Sequence, residues 1–266
     1  MEISIVINCS DDFHLFKTIE SIDEDVEIIC SITPNKKIES KLTEMKIPYA
    51  ITPKGNQSVT TNAGIKFVTN DKFILMDSDC YFENGFIRNI FKLLDNHMVI
   101  NGNIIFDYNN NLLSKTISKC KKFDDIYDCL AHKPGLGLRK NLLQYIGNYW
   151  FDESLPWAED SELSYRITKA GINILHDNNF SIHHSPTPYK HNLKSCFFYG
   201  GGDYIRFSLL NQSYELSFIT YELNRYKNLL KKFNVFELLV MITNDCSYQF
   251  GYFLCFFKTF FHKYLK

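Results

Sequence analysis

The sequence predicts an α/β fold: a parallel, doubly wound sheet flanked by helices, with a helical carboxyl-terminal extension. Three observations carry this. β-rich runs alternate with helical patterns from Ile3 onward, as in βαβ units on a parallel sheet. One of these runs, Phe73-Ile-Leu-Met-Asp-Ser-Asp79, delivers two aspartates at its carboxyl end, where open α/β sheets bind their ligands. From about Leu193 the strand pattern gives way to long helical patterns. Residues 1–188 are therefore assigned to one α/β domain and residues 189–266 to a helical segment, with the boundary near Pro188.

In chain order, residues 3–8 form a strand, and Phe13, Phe16, Ile19 and Ile22 mark a helix. Residues 26–32 are the second strand, 36–45 a helix, 48–51 a short strand, 59–68 a helix and 73–76 the strand that ends at the aspartates. A helix over 84–94 and a strand over 98–106 follow. Residues 107–133 are polar and poorly periodic and read as a long surface loop. Gly135-Leu-Gly137 leads to a helix over 140–146, then to the aromatic Tyr149-Trp-Phe151 and a helix over 159–170. Gly171 ends that helix as a left-handed cap would. Residues 172–175 and 180–183 read as two short strands.

Of the 266 residues, 45% are hydrophobic and 15% aromatic, enough for one sizeable globular domain with an appended segment. A formal net charge of −1 without a concentrated basic face argues against nucleic acid as the main partner. The eight cysteines are scattered, with no Cys-x-x-Cys pair, and read as reduced core residues. The amino terminus enters a strand directly, without a basic region and apolar stretch, so a cytoplasmic location is expected.

Asp-x-Asp spacing alone decides little. Asp23-Glu24-Asp25 repeats it in a polar turn, where it reads as solvated charge. At Asp77 and Asp79, strand-end carboxylates that bond nearby backbone N–H groups are one reading. A divalent-cation site for a diphosphate is the other. Pro156-Trp-Ala-Glu-Asp160 places acids at the start of a helix, where they serve the helix dipole or, shielded beside a cleft, supply a general base. His183-His184 follows a strand-like run. Neighbours on a strand face opposite ways, so at most one of the two addresses the site, either as a hydrogen-bonded structural group or as a neutral imidazole that would complete a cation site begun by Asp79. Such a nitrogen and oxygen set suits Mn²⁺ or Mg²⁺.

The order of these motifs resembles the family 2 glycosyltransferases of the GT-A fold, which implies a Rossmann-like, mixed but mostly parallel sheet flanked by helices. The resemblance runs from about residue 3 to residue 186. It covers the opening strand, the segment ending in Asn62-Ala-Gly64, Phe73 to Asp79 with Phe82-Glu-Asn-Gly-Phe86, Gly147 to Glu153 (like the family's Gly-x-Phe-Asp-Glu stretch), Glu159-Asp160, Arg166, Gly171 and the closing histidine. It implies an inverting, metal-dependent transfer of a sugar from a nucleotide-sugar donor to a hydroxyl of a glycan or lipid-linked glycan. Asp79 and His184, preferred over His183, would hold the metal. Asp77 and Asn62 join Asp79 on the donor, and Asp160 is the base with Glu159 beside it. The chain departs from the family where Ile28-Ile-Cys-Ser-Ile-Thr-Pro34 lacks the usual base-reading aspartate and where Thr61 replaces an arginine before Asn62.

Arg139 and Arg166 read either as phosphate contacts or as helix-surface salt bridges. Gly200-Gly-Gly202 reads as a helix break beside an acceptor cleft. Phe253, Phe256, Phe257, Phe260 and Phe261 with Lys258, Lys263 and Lys266 describe an amphipathic helix that lies on the inner face of a membrane, packs on the domain or packs in a homodimer. A nucleotidyltransferase and a non-catalytic glycan-binding module of the same fold are the alternative functions.

Overall fold

The computed structural model describes residues 1–264 apart from 11, 129–130 and 211–215, and for side chains apart also from 125–128, 216–223 and 261–264. The chain forms two compact units, one of residues Met1–Ile105 and Leu130–Ser185, the other of Phe106–Cys129 and Pro186–Lys266.

The first unit is built on an eight-stranded sheet of order β3-β2-β1-β4-β7-β6-β8-β5. Strands β1 (Ile3–Cys9), β2 (Glu27–Ile32), β3 (Tyr49–Ile51) and β4 (Lys72–Asp77) are parallel. β1 reads Ile-Ser-Ile-Val-Ile-Asn-Cys and is buried along its whole length, as a central strand covered on both faces must be. The other half is antiparallel: β7 (Leu136–Arg139) lies between β4 and β6 (Val99–Phe106), and β5 (Cys80–Phe82) pairs with β8 (Ile174–His184).

Helices α1 (His14–Glu20), α2 (Lys36–Glu44), α3 (Gln57–Ile65), α4 (Phe86–Leu93) and α6 (Glu159–Lys169) flank the sheet. Asn35 and Asn56 cap α2 and α3 by accepting from backbone N–H groups of the first turn. Leu163 and Ile167 of α6 join Phe73, Leu75, Leu138 and Phe151 in one buried cluster, with Trp150 edge-on to Phe73 at 5.1 Å. Gly171 has φ +72° and closes α6 in the left-handed conformation expected of it.

Several elements differ from the sequence reading. Residues 107–133 contain α5 (Leu112–Asp128), not a loop. Its Ile117, Cys120 and Phe123 are buried at helical spacing, and its lysines sit on the flanks, so polar neighbours masked a narrow apolar stripe. β5 and β7 span 3 and 4 residues, too short to show a period. The helix expected over 140–146 is a 3-10 turn, Lys140–Gln144, and the two strands expected over 172–183 are the single strand β8.

The second unit is helical: α5 with α7 (Tyr189–Leu209), α8 (Leu216–Lys232) and α9 (Val235–Tyr264). Gly200-Gly-Gly202 lies inside α7 and is not a helix break. A Cβ at Gly200 would stand 1.9 Å from the Tyr248 carbonyl oxygen, and one at Gly251 would stand 1.9 Å from that of Phe197. The glycines let α7 and α9 touch backbone to backbone. Arg225, buried, is held by Asp124 at 2.9 Å and Asp245 at 3.1 Å, the charge pairing that a buried guanidinium requires.

Among the described residues no helix is long and apolar enough to cross a membrane. The described cysteines are all free. Cys9, Cys30, Cys80 and Cys120 are core residues as expected, whereas Cys246 is exposed and Cys196 and Cys255 are half-buried. Cys129, Phe261, Lys263 and Lys266, named in the sequence reading, have side chains outside the described residues.

Candidate active site

Asn8 of β1 and Asp77 of β4 are register partners at the carboxyl ends of adjacent parallel strands. Asn8 is buried and donates from Nδ2 to Thr61 Oγ1 at 2.7 Å, while its carbonyl accepts from the Ser78 N–H at 2.9 Å. The chain thus turns sharply after Asp77. Burial pushes the Asp77 carboxyl above the usual carboxylate range. The Lys133 ammonium opposes that rise, and the charges of Asp79 and Asp160 add to it.

Lys133 ties the strand ends to α6. Its Nζ donates to Glu159 Oε1 at 3.0 Å and to Gln57 Oε1 at 3.1 Å and lies 3.6 Å from Asp77 Oδ1. Burial alone would pull this ammonium down, but Asp77 and Glu159 outweigh it and hold it charged. Ala158 enters α6 at φ 62° and ψ 24°, a left-handed conformation that few residues other than glycine adopt, so the helix start is held by its surroundings.

Two adjacent buried carboxylates follow, and their surroundings push them apart. Burial raises Glu159, with Lys133 only partly compensating. Burial also acts to raise Asp160, yet it ends below the usual range because His132, Lys133 and the Ser161 N–H all favour the anion. Asp160 Oδ1 accepts from Ser161 N at 2.8 Å, and Oδ2 lies 3.8 Å from His132 Nδ1. Divergent environments for two carboxyl groups are how a site assigns different proton roles to like residues. Asp160 is the one kept ionised. Sequence reading missed His132 and Lys133, which sit in the stretch taken for a loop and carry no motif of their own.

The second cluster is made by the β5–β8 pairing, which sets Cys80 opposite His184 and Tyr81 opposite His183. His184 Nδ1 lies 2.7 Å from the Ser185 carbonyl oxygen. A carbonyl only accepts, so the proton sits on Nδ1, and in the neutral ring Nε2 presents a lone pair. That nitrogen is 3.7 Å from Asp79 Oδ2. The Asp79 main chain is fixed by the Ser185 N–H, which donates to its carbonyl at 2.9 Å. One carboxylate oxygen of Asp79, Sγ of Cys80 and one ring nitrogen of His184 lie within 4.8 Å of one another. The carboxylate and imidazole fit a hard divalent cation such as Mn²⁺ or Mg²⁺ that keeps positions open for phosphate oxygens. His183 points elsewhere, stacked on Tyr81 at 4.9 Å with Nε2 3.5 Å from Glu83 Oε1.

Other residues singled out by sequence are engaged in the scaffold. Asn62 donates to the Phe151 carbonyl at 2.9 Å and to Glu153 Oε1 at 3.1 Å and accepts from the Phe151 N–H at 3.2 Å, so its amide clamps the 151–153 turn. Arg166 pairs with buried Glu162 through two N–H donors, at 2.7 and 2.8 Å, and caps the carbonyls of Ile146, Tyr149 and Trp150. Arg139 pairs with Asp71 at 3.2 Å.

A mixed eight-stranded sheet flanked by helices places the chain in the GT-A class of fold. Solved structures of that class match the chain over most of its length. A mannosyltransferase from Pyrobaculum calidifontis, in complex with GDP-Man and Mn²⁺, matches with a TM-score of 0.60 at 10% identity, over 92% of this chain and 73% of that one. Staphylococcus aureus TarS (residues 1–349) in complex with UDP-GlcNAc matches with a TM-score of 0.53 at 15% identity, over 92% and 79%. The same TarS fragment with UDP matches with a TM-score of 0.50 at 17% identity, over 93% and 80%. No protein-family model matches the chain, and no curated protein matches it in sequence. The GT-A fold is what the chain shares with these enzymes.

Proposed function

We propose that the chain is an inverting, divalent-metal-dependent glycosyltransferase that moves a sugar from a nucleoside-diphosphate donor to a hydroxyl of a glycan or lipid-linked glycan. The observation that carries this reading is Lys133, whose ammonium joins Asp77 at the strand ends to Glu159 at the head of α6. It sets the donor-side carboxylates beside a buried base. Solved structures of the same fold hold GDP-Man with Mn²⁺ and UDP-GlcNAc, which supports a nucleotide-sugar donor.

In this reading Asp160 takes the proton of the acceptor hydroxyl as the oxygen attacks the anomeric carbon from the face opposite the leaving diphosphate. His132 and the Ser161 N–H orient its carboxylate and keep it ionised. Asp79 and His184 Nε2 would hold the cation, which when bound neutralises charge on the leaving diphosphate. Lys133 keeps Asp77 and Glu159 compensated, so that two buried acids and the half-buried Asp77 coexist there.

Incubation with a panel of nucleotide sugars, Mn²⁺ and hydroxyl acceptors is expected to release nucleoside diphosphate. Asp160→Asn lowers turnover by about 10² to 10⁴ while leaving nucleotide binding intact. Undiminished transfer by that variant would remove Asp160 as the base, and nucleotide-sugar binding without any turnover by the parent would favour a binding module.

A further inference from the structure

Helix α9 is apolar on the side that faces its own unit and again on the side that faces outward. Val240, Met241 and Gly251 point inward, the first two buried in the cluster with Phe123 and Phe233. Leu239, Ile242, Phe250, Phe253, Phe257 and Phe260 recur at helical spacing along the opposite side and are all exposed, Leu239 by 56% and Phe250 by 64%. No charged side chain interrupts them. A surface helix ordinarily turns its polar side to water, and a continuous apolar stripe of this length marks an interaction surface.

Charge points to what covers the stripe. The helical unit, residues 106–129 and 186–266, carries fourteen Lys and Arg against nine Asp and Glu, a formal +5. The sheet unit carries fifteen against twenty-one, a formal −6. The near-zero net charge of the whole chain conceals two units of opposite sign. Pairing two copies through the stripe would bring two basic units together. An anionic surface attracts them, and Lys227, Lys231 and Lys232 on α8 are exposed.

We infer that the outward face of α9 is a docking surface for an anionic lipid bilayer, in which α9 lies along the headgroup boundary with its phenylalanines in the acyl region. Such a helix binds by buried apolar area and by attraction to anionic headgroups, and it does not cross the bilayer. The inference is independent of the catalytic reading.

The test is co-sedimentation of the full chain with phosphatidylcholine vesicles, with and without about 30% phosphatidylglycerol, together with sedimentation velocity in the absence of lipid. Binding to the anionic vesicles is expected to exceed binding to the neutral ones by more than about tenfold at low salt and to weaken in 0.5 M NaCl. The triple variant Phe250→Ser, Phe253→Ser, Phe257→Ser should lose at least about tenfold in binding with an unchanged circular-dichroism spectrum. Lys231→Gln with Lys232→Gln, which leaves the stripe intact, should lose the preference for anionic vesicles. A lipid-free dimer dispersed by the triple phenylalanine variant, or equal binding to neutral and anionic vesicles, would overturn the proposal.

Discussion

Lys133 donates to Glu159 across 3.0 Å with both side chains almost fully buried. Replacing Lys133 by Met leaves buried Glu159 and half-buried Asp77 without their cation. The folded state should lose about 3–5 kcal/mol, as expected when one partner of a buried ion pair is removed. Urea denaturation measures the loss, and Glu159→Gln placed on top of Lys133→Met should recover part of it. A Lys133→Met protein as stable as the parent would end the bridging role.

Asp77 makes a prediction about pH. Burial, reinforced by Asp79 and Asp160 and opposed by Lys133, holds its carboxyl above the usual range in the folded state. The folded protein then keeps this proton at pH values where the unfolded chain, with an aspartate near about 3.9, has released it. The stabilising contribution is complete below the unfolded value and is lost as pH rises through the folded one. Asp77→Asn does not titrate, so its Tm relative to the parent should climb between about pH 3.5 and pH 7. A difference that falls over that window would reverse the sign assigned to Asp77.

The two neighbouring histidines separate cleanly. His184→Ala removes the nitrogen that faces Asp79, and the Mn²⁺ affinity of the nucleotide-bound protein should fall more than tenfold, about 1.4 kcal/mol. His183→Ala loses its stacking on Tyr81 and its contact with Glu83, both away from Asp79, and should leave Mn²⁺ titrations unchanged. Calorimetric titration of both variants decides the matter, and equal losses would mean that the β5–β8 register does not select the ligand.

Gly200→Ala tests the helix contact in the second unit. On propensity alone alanine would stabilise a mid-helix position by about 1 kcal/mol. Here its Cβ meets the Tyr248 carbonyl, and overpacking of this kind costs about 1–3 kcal/mol. The net effect should be a lower urea midpoint. A raised midpoint would show that α7 and α9 have room to separate.

Strands β1 to β4 were legible because they are long or flanked by capped helices. β5 and β7 were not, because they are too short to show a period, and α5 of the helical unit hides its apolar stripe among lysines and aspartates. Asp77, Asp79, Glu159, Asp160 and His184 could be named because strand ends and helix starts are recognisable places. Lys133 and His132 could not, since a buried lysine is identified by the acids around it, and those come from distant parts of the chain. Asn62 shows the converse. A residue noticed for its motif spends its amide on holding the 151–153 turn.

The pairing of Cys80 with His184 also has a temporal side. Asp79 leaves the ribosome long before β8 is synthesised, so a nascent chain that has completed the parallel half of its sheet still lacks the nitrogen that faces that aspartate. The cluster is complete only once the last strand of the unit is in place, so its geometry reports on completed folding.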